Sequence, residues 1–451
     1  MKSPPTAFLP LQGHTEVTHA TPMKEILRNA ILFFLTLEAK AVLARHKPNI
    51  IVVTGSVGKT STKDAVFSAL SGSLFVRKSE KSFNSDIGVP LTILGVPNGW
   101  SNFGVWLHNL LKGLLLIVTS VPYPKWLVIE VGADRPGDIS RSLAWIKPHI
   151  VIATRFPEIP VHVEFYASPE AVITEELFPL SRLSHGGTAI VNGDDVHALN
   201  APVSPGVSRI VYGFKSSVDV RIMRYRLVQK NGLLSGVSFD LCYSGERIHV
   251  TLEGVVGKGV AYAAAAAAAA ALAAGVSFVA AGNHLERHVS PPGRLRVFMG
   301  TKGSVIIDDT YNASPAAVEE ALHVLKDTPE SGRRIAVLGD MLELGSYSSG
   351  EHARMGECAA ECADILVAIG VRAKGMALAA LRSGMSESRV QAFERASDAS
   401  AFLLSFVAAG DTVLVKGSQG MRMERVVKAL MENPHDAEKL LVRQDPEWLA
   451  R

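Results

Sequence analysis

The stretch Ile50-Ile51-Val52-Val53-Thr54-Gly55-Ser56-Val57-Gly58-Lys59-Thr60-Ser61-Thr62 constrains this chain more than any other. Its β-branched apolar run predicts a strand, Gly55 to Gly58 a tight turn, and Lys59-Thr60 the opening of a helix. Backbone N–H groups of such a turn converge on one point, the helix dipole favours an anion there, and a lysine adds a full positive charge. The loop therefore predicts a nucleoside triphosphate site made of Gly55, Ser56, Val57, Gly58, Lys59, Thr60 and Ser61. Lys59 is expected to reach the β and γ phosphates, with the Thr60 hydroxyl on Mg2+. Val53 stands where the general phosphate-loop pattern has its first glycine, and that glycine has moved to Gly55, which narrows the class of nucleotide protein.

A length of 451 residues corresponds to about three domains. A formal charge of +3 demands neither a nucleic-acid nor an anionic-membrane partner, so the charge of any ligand must be met locally. Cys242, Cys358 and Cys362 form no C-x-x-C pattern. The last two sit at helical spacing beside alanines, which reads as buried, reduced thiols rather than a metal site or disulfide. The front of the chain has no small-residue cleavage pattern, and the apolar stretch Ile26 to Leu37 is interrupted by Arg28 and Asn29. This reads as neither a signal peptide nor a transmembrane segment, and the expectation is a cytoplasmic enzyme.

Residues 1–48 read as a proline-rich arm followed by a helix over Met23 to Arg45, with Leu27, Ala30, Ile31, Phe34, Leu37 and Val42 at helical spacing. Residues 49–292 alternate apolar runs (Trp126 to Ile129, Ile150 to Ala153, Ala189 to Val191) with helical patterns, which predicts an α/β domain with a mostly parallel sheet. Arg209 to Leu252 reads as an antiparallel excursion, and Ala263 to Ala271 as a helix ended near Gly275. After Pro291-Pro292 the pattern restarts, so residues 293–451 are read as a second, Rossmann-like α/β domain, with a ligand site in the cleft between the two. Gly104 to Val118 is apolar around most of a helix. A covered helix packed on Met23 to Arg45 is expected, with a peripheral membrane contact as the alternative.

The strand Leu127-Val128-Ile129 ends in Glu130, a natural Mg2+ ligand beside a phosphate loop. Downstream lie Phe83-Asn84-Ser85-Asp86-Ile87-Gly88, His162-Val163-Glu164, Gly293-Arg294, Asp308-Asp309-Thr310-Tyr311-Asn312, Gly339-Asp340-Met341-Leu342-Glu343 and Val415-Lys416-Gly417-Ser418. In this order, from about Ile50 to about Leu430, the chain resembles the Mur ligase family. The resemblance implies an ATP- and Mg2+-dependent enzyme that activates a carboxylate as an acyl phosphate and captures it with an amine. The implied substrates are small molecules, a cell-wall precursor peptide and D-alanyl-D-alanine or a similar amine, with no nucleic acid.

The resemblance also assigns roles. Lys59, His162 and Arg294 would be catalytic, and Thr60, Glu130 and His162 would hold metal. Asn84, Arg294, Asp309 and Asn312 would join the phosphate loop around the nucleotide, with Lys416 and Ser418 at the incoming amino component. Taken singly, His162 reads equally as a loop histidine, Arg294 as a surface charge, and Asp308, Asp309 and Asp340 as cap or turn residues. Three departures from the family stand out. Thr174 occupies the place of a metal-bridging carbamylated lysine, with Glu175 or Glu176 as candidate substitutes for its charge. Gly259 and Ala263 occupy the places of a histidine and an adenine-holding asparagine. About 48 residues precede the first strand, where the family has a domain for the UDP end of its substrate, so the acyl substrate is expected to lack UDP or to be held elsewhere. A different acid and amine pair, or a nucleotide-binding scaffold without ligation, are the competing readings.

Overall fold

The computed structural model describes residues 22–80, 86–100, 102–329 and 331–450. Nine strands form the first sheet: β1 (Asn49–Thr54), β2 (Val76–Lys78), β3 (Trp126–Glu130), β4 (Ile150–Ala153), β5 (Thr188–Asn192), β6 (Ser208–Gly213), β7 (Val220–Lys230), β8 (Leu233–Tyr243) and β9 (Glu246–Glu253). Their order is β2-β3-β1-β4-β5-β6-β7-β8-β9. Every pairing from β2 to β7 is parallel, while β7-β8 and β8-β9 are antiparallel. The antiparallel excursion therefore begins at Val220. β6, which the sequence reading placed inside the excursion, continues the parallel series.

From β1 the chain passes to the β2-β3 side and then returns to β4 on the other, so β1 is the point where strand order reverses. In open α/β sheets the crevice at such a point, at the carboxyl ends of the strands, is where ligands sit. Both faces of β1 are covered, which is why its sequence is continuously apolar rather than alternating. Ile51 and Val53 pack toward α2 (Lys59–Ser71), whereas Ile50 and Val52 join the cluster of Ile31, Leu35 and Val42 from α1 (Pro22–His46). That second face is completed by α3 (Gly88–Leu94) and α4 (Phe103–Val118).

Four further helices follow along the same sheet: α5 (Asp138–Leu143), α6 (Pro169–Ser181), α7 (Val196–Asn200) and, after β9, the alanine-rich α8 (Lys258–Ala273). The alanines of α8 are buried against α2 and the β5 to β7 region, where only small side chains allow the helix axis this close. Gly275, at φ +80, is the left-handed residue just past the end of α8, one position beyond its cap Ala274.

Six strands form the second sheet, β10 (Arg296–Met299), β11 (Val305–Asp309), β12 (Arg334–Gly339), β13 (Ile365–Ile369), β14 (Val390–Phe393) and β15 (Thr412–Lys416), in the order β10-β11-β15-β12-β13-β14. Only the edge strand β10 is antiparallel to its neighbour. α9 (Phe278–Leu285) closes the first layer, and α10 (Pro315–Lys326) lies between the two sheets. The core that holds α2 and α8 runs on through Val255 and Val256 to Val324 and Leu325 of α10, an apolar seam joining the two α/β layers. All three cysteines are free thiols.

α1 and α4 pack against each other, as expected, but each covers only one side of its partner. Glu38 of α1 presses its carboxyl onto Gly113 of α4, where any Cβ would collide with it. Burial there pushes the Glu38 carboxyl up to about 7. A carboxyl whose folded pKa lies above its unfolded value stabilises at low pH, and that contribution is lost as pH rises through the folded value. Glu38→Gln is therefore expected to raise stability by up to about 1 kcal/mol near pH 8, with no gain near pH 5. Thermal denaturation of both proteins across that range checks it.

Candidate active site

The end of β1 turns into α2 through backbone that demands glycine twice. Gly55 has φ +123, and a Cβ there would run into Thr154 at the end of β4, while Gly58 has φ +93 at the mouth of α2. The N–H groups of Ser56 and Val57 are held by the Arg155 carbonyl at 2.9 and 3.2 Å. No side chain caps α2 at Gly58, which leaves its first-turn donors aimed at the cleft. Lys59 donates its ammonium to the Gly55 carbonyl and lies 3.4 Å from the Glu176 carboxylate.

The Thr60 hydroxyl donates to Glu130 Oε1 at 3.1 Å, close to the edge of about 2.9 Å between neighbouring oxygens of an octahedral Mg2+ shell. Glu130 Oε2, buried without a hydrogen-bond partner among the described residues, lies 3.8 Å from the Lys63 ammonium. Two oxygens at ligand spacing, one of them with an orphaned neighbour, fit a hard divalent cation beside the phosphate loop. Lys63 is fully buried and also donates to the Ser79 carbonyl at 2.9 Å, which fixes its ammonium beside the Glu130 carboxylate.

A cleft of about 730 Å3 collects Lys59, Thr60, Glu130, His162 and Arg294 from different elements of the chain. Arg294 donates to Thr60 Oγ1 at 3.4 Å and stacks on the Tyr311 ring, 4.1 Å from its centroid. It is therefore no loose surface charge. His162 holds a left-handed φ of +69, unusual for a residue with a Cβ. Its Nδ1 stands 2.5 Å from Glu343 and its Nε2 3.4 Å from Asp134, so its ring is clasped from both layers. The hydrogen bond to His162 holds the Glu343 carboxyl below the usual carboxylate range. A second clasp is Glu320 of α10, which pairs with Arg155 at 2.7 Å and accepts from Gly259 N–H at 2.9 Å.

Residues 113–271 match the Mur ligase middle domain, and residues 293–419 the Mur ligase glutamate ligase domain. The chain belongs to the Mur ligase family. It is 28% identical over 410 residues to the UDP-N-acetylmuramoyl-tripeptide–D-alanyl-D-alanine ligase of Bacillus subtilis, covering 88% of this chain and 79% of that protein. Among solved structures it is similar to MurF from Acinetobacter baumannii, with a TM-score of 0.72, 25% identity, and coverage of 89% of this chain and 81% of that one. The fold is also that of MurF ligase from Thermotoga maritima in complex with ADP, at a TM-score of 0.71 and 23% identity, over 89% and 83% of the two chains.

Not every expected residue of this Mur ligase faces the cleft. Ser56, Val57, Gly58 and Asn312 line it. Ser61 follows on α2, half-buried, and Gly55 lies buried beneath the loop. Asn84 lies outside the described residues. Asp309, expected at the ribose, is buried and turned to Lys416, 2.5 Å away, so that ion pair occupies both residues. Lys416, expected at the amino component, also donates to the Asn312 carbonyl at 2.9 Å. Ser418 does reach the cleft, where its hydroxyl accepts from Leu342 N–H at 2.8 Å. Asp308 accepts from the N–H and hydroxyl of Thr310, a turn role, and its burial pushes its pKa up to about 6. Asp340 accepts from Ala373 N–H at 2.7 Å, at the start of helix Lys374–Arg382.

The two glutamates next to Thr174 part ways. Thr174 is exposed and donates to the Glu170 carbonyl at 2.7 Å. Glu175 accepts from Gly137 and Ile139 N–H at 2.8 and 3.0 Å, capping α5. Glu176 is buried in the phosphate loop, accepting from the Ser56 hydroxyl beside Lys59. Glu343, Lys63, Tyr311 and Glu320 entered the site without being assigned from sequence. Glu343 and Tyr311 sat inside recognised motifs, whereas nothing local marks Lys63 or Glu320. Glu176→Gln is expected to lower ATP-dependent turnover by about tenfold or more, because the charge beside Lys59 is lost. Glu175→Gln should instead cost about 1 kcal/mol of stability as a weakened helix cap. Steady-state kinetics and thermal denaturation of the two variants separate these roles.

Proposed function

We propose that this chain is an ATP- and Mg2+-dependent ligase that joins D-alanyl-D-alanine, as the amine, to a cell-wall precursor peptide. The observation that carries the reading is the Thr60–Glu130 pair set beside the phosphate loop and closed over by Arg294. The relatives named above supply the substrate class, since the B. subtilis protein carries that activity in its name.

A carboxylate resists attack by an amine because oxide is a poor leaving group. One carboxylate oxygen attacks the γ-phosphorus, the bridging P–O bond to the β-phosphate breaks, and ADP leaves. The amine nitrogen then attacks the acyl carbon, the C–O bond to phosphate breaks, and the nitrogen sheds a proton. Each step gathers negative charge on phosphoryl or tetrahedral oxygens, which fixed cations and N–H donors stabilise without reorganising. Lys59 and the α2 N-terminus hold the β and γ phosphates, and Arg294 adds a cation from the second layer. Thr60 and Glu130 would hold Mg2+, which neutralises phosphate charge when bound. His162, clasped by Asp134 and Glu343, orients the acyl end.

Thr174 favours a second reading, a nucleotide-binding scaffold without ligation, because the exposed hydroxyl does not reach the cleft. Phosphate release that needs both a precursor peptide and D-alanyl-D-alanine separates the two. The ligase reading expects that dependence and a loss of at least about 10^3-fold in Lys59→Ala. Phosphate release indifferent to the amine, or full activity in Lys59→Ala, overturns it.

A further inference from the structure

An exposed apolar face that catalysis does not use lies across α1 and α4. The buried side of α4 consists of Trp106, Asn109, Gly113 and Leu116, while Phe103, Leu107, Leu111, Leu114, Leu115 and Val118 on its other side are each half or more exposed. On α1, Ile31, Leu35, Ala39 and Val42 face the protein, and Ile26, Leu27, Phe33, Phe34 and Leu37 face outward. Single exposed leucines are ordinary, but a contiguous apolar face of this size marks an interaction site.

The two apolar faces are one surface. Glu38 abuts Gly113, Arg45 donates to the carbonyls of Ile117 and Thr119 at 2.6 and 2.9 Å, and His46 reaches the Leu116 carbonyl at 3.0 Å. The helices therefore lie side by side and run in the same direction. At 100° per residue, Leu27 and Phe34 fall on the edge of the exposed arc of α1 nearest α4. Phe103, Leu107 and Leu114 fall on the facing edge of α4. The 16 residues of α4 span about 24 Å, too short and too exposed on one side to cross a bilayer, and no described helix is long and apolar enough to do so.

The rim of this surface is basic. Lys40, Arg45, Lys47, His108 and Lys112 border it, α4 carries no acidic residue, and Glu38 is the one acidic side chain described on either helix, set in the seam between them. We propose that α1 and α4 together form a face that lies in the interface of an anionic phospholipid membrane. Apolar area and attraction to anionic headgroups add in such binding, and the face offers both. A second copy is the poorer occupant, because a two-fold contact would set one basic rim against the other. Residues 1–21 are also a poorer match in charge, with Glu16 as their sole acidic residue. The face lies on the side of the first sheet opposite α2 and α8. The inference does not rest on the ligase reading.

The test is sedimentation of the full chain with sucrose-loaded vesicles of phosphatidylcholine alone or mixed with phosphatidylglycerol. Binding to the anionic vesicles is expected to be about tenfold or more tighter than to the neutral ones and to weaken with added salt. Leu111→Glu with Leu114→Glu should reduce it at least about tenfold, with thermal stability and ATP turnover unchanged. Lys40→Glu with Lys112→Glu, which leaves the apolar face intact, should remove the preference for phosphatidylglycerol. Absence of binding to anionic vesicles, or binding that neither pair of substitutions alters, overturns the proposal. So does a dimer in light scattering that Leu111→Glu dissociates, which would assign the face to a second copy.

Discussion

A nucleoside triphosphate gathers several negative charges into a few ångströms, and the end of β1 is built to receive them. The uncapped N-terminus of α2 and the Lys59 ammonium supply positive charge there, while the Ser56 and Val57 N–H groups are held by the Arg155 carbonyl. That arrangement exists only because Gly55 and Gly58 accept left-handed backbone and because Gly55 has no Cβ to meet Thr154. It also requires β1 to sit where strand order reverses, so that β3 and β4 can bring Glu130 and Arg155 to the same edge. Much of the first layer serves to hold that edge: α8 and α2 pack on one face of the sheet, and α1, α3 and α4 on the other.

One layer cannot complete the site. The phosphate loop faces a cleft whose far wall belongs to the second layer, and that wall contributes Arg294, Tyr311 and Glu343. The clasps between layers are polar, whereas the seam beneath them is apolar, running from Val255 to Val324. Apolar contact is nondirectional and tolerates sliding, but charge-assisted contacts are directional. The pairing of Arg155 with Glu320 and of His162 with Glu343 thus sets the register in which Arg294 meets Thr60.

The second surface of the molecule works by a different principle. The α1–α4 face has no convergent polar groups, only apolar side chains with a basic border, and such a surface reads the physical state of what it touches rather than a chemical group. An overall charge of +3 conceals it, because cations border the face while acids elsewhere in the chain offset them.

Much of this was legible in the sequence because local patterns have local causes. A β-branched run, a glycine turn and Lys-Thr must form a strand, a loop and a helix start, and an alanine run must form a helix. The order of the motifs added the family, and with it Glu130, His162 and Arg294 as a set. What the chain could not reveal linearly was the partner of each charge. Asp309 and Lys416 are 107 residues apart and face each other in the fold, a pairing that neither motif announced. Glu175 and Glu176 are adjacent in sequence, but the helical turn of about 100° between them sends one to cap α5 and the other into the phosphate loop. The exposure of α4 was likewise undecidable from hydropathy, since a covered helix and a half-covered one read alike. Sequence alone determined the main strands and helices and the expectation of a triphosphate site at the end of β1. Tertiary structure decided which charges are spent on each other, which face the cleft and which apolar side remains outward, because those outcomes depend on distances between segments far apart in the chain.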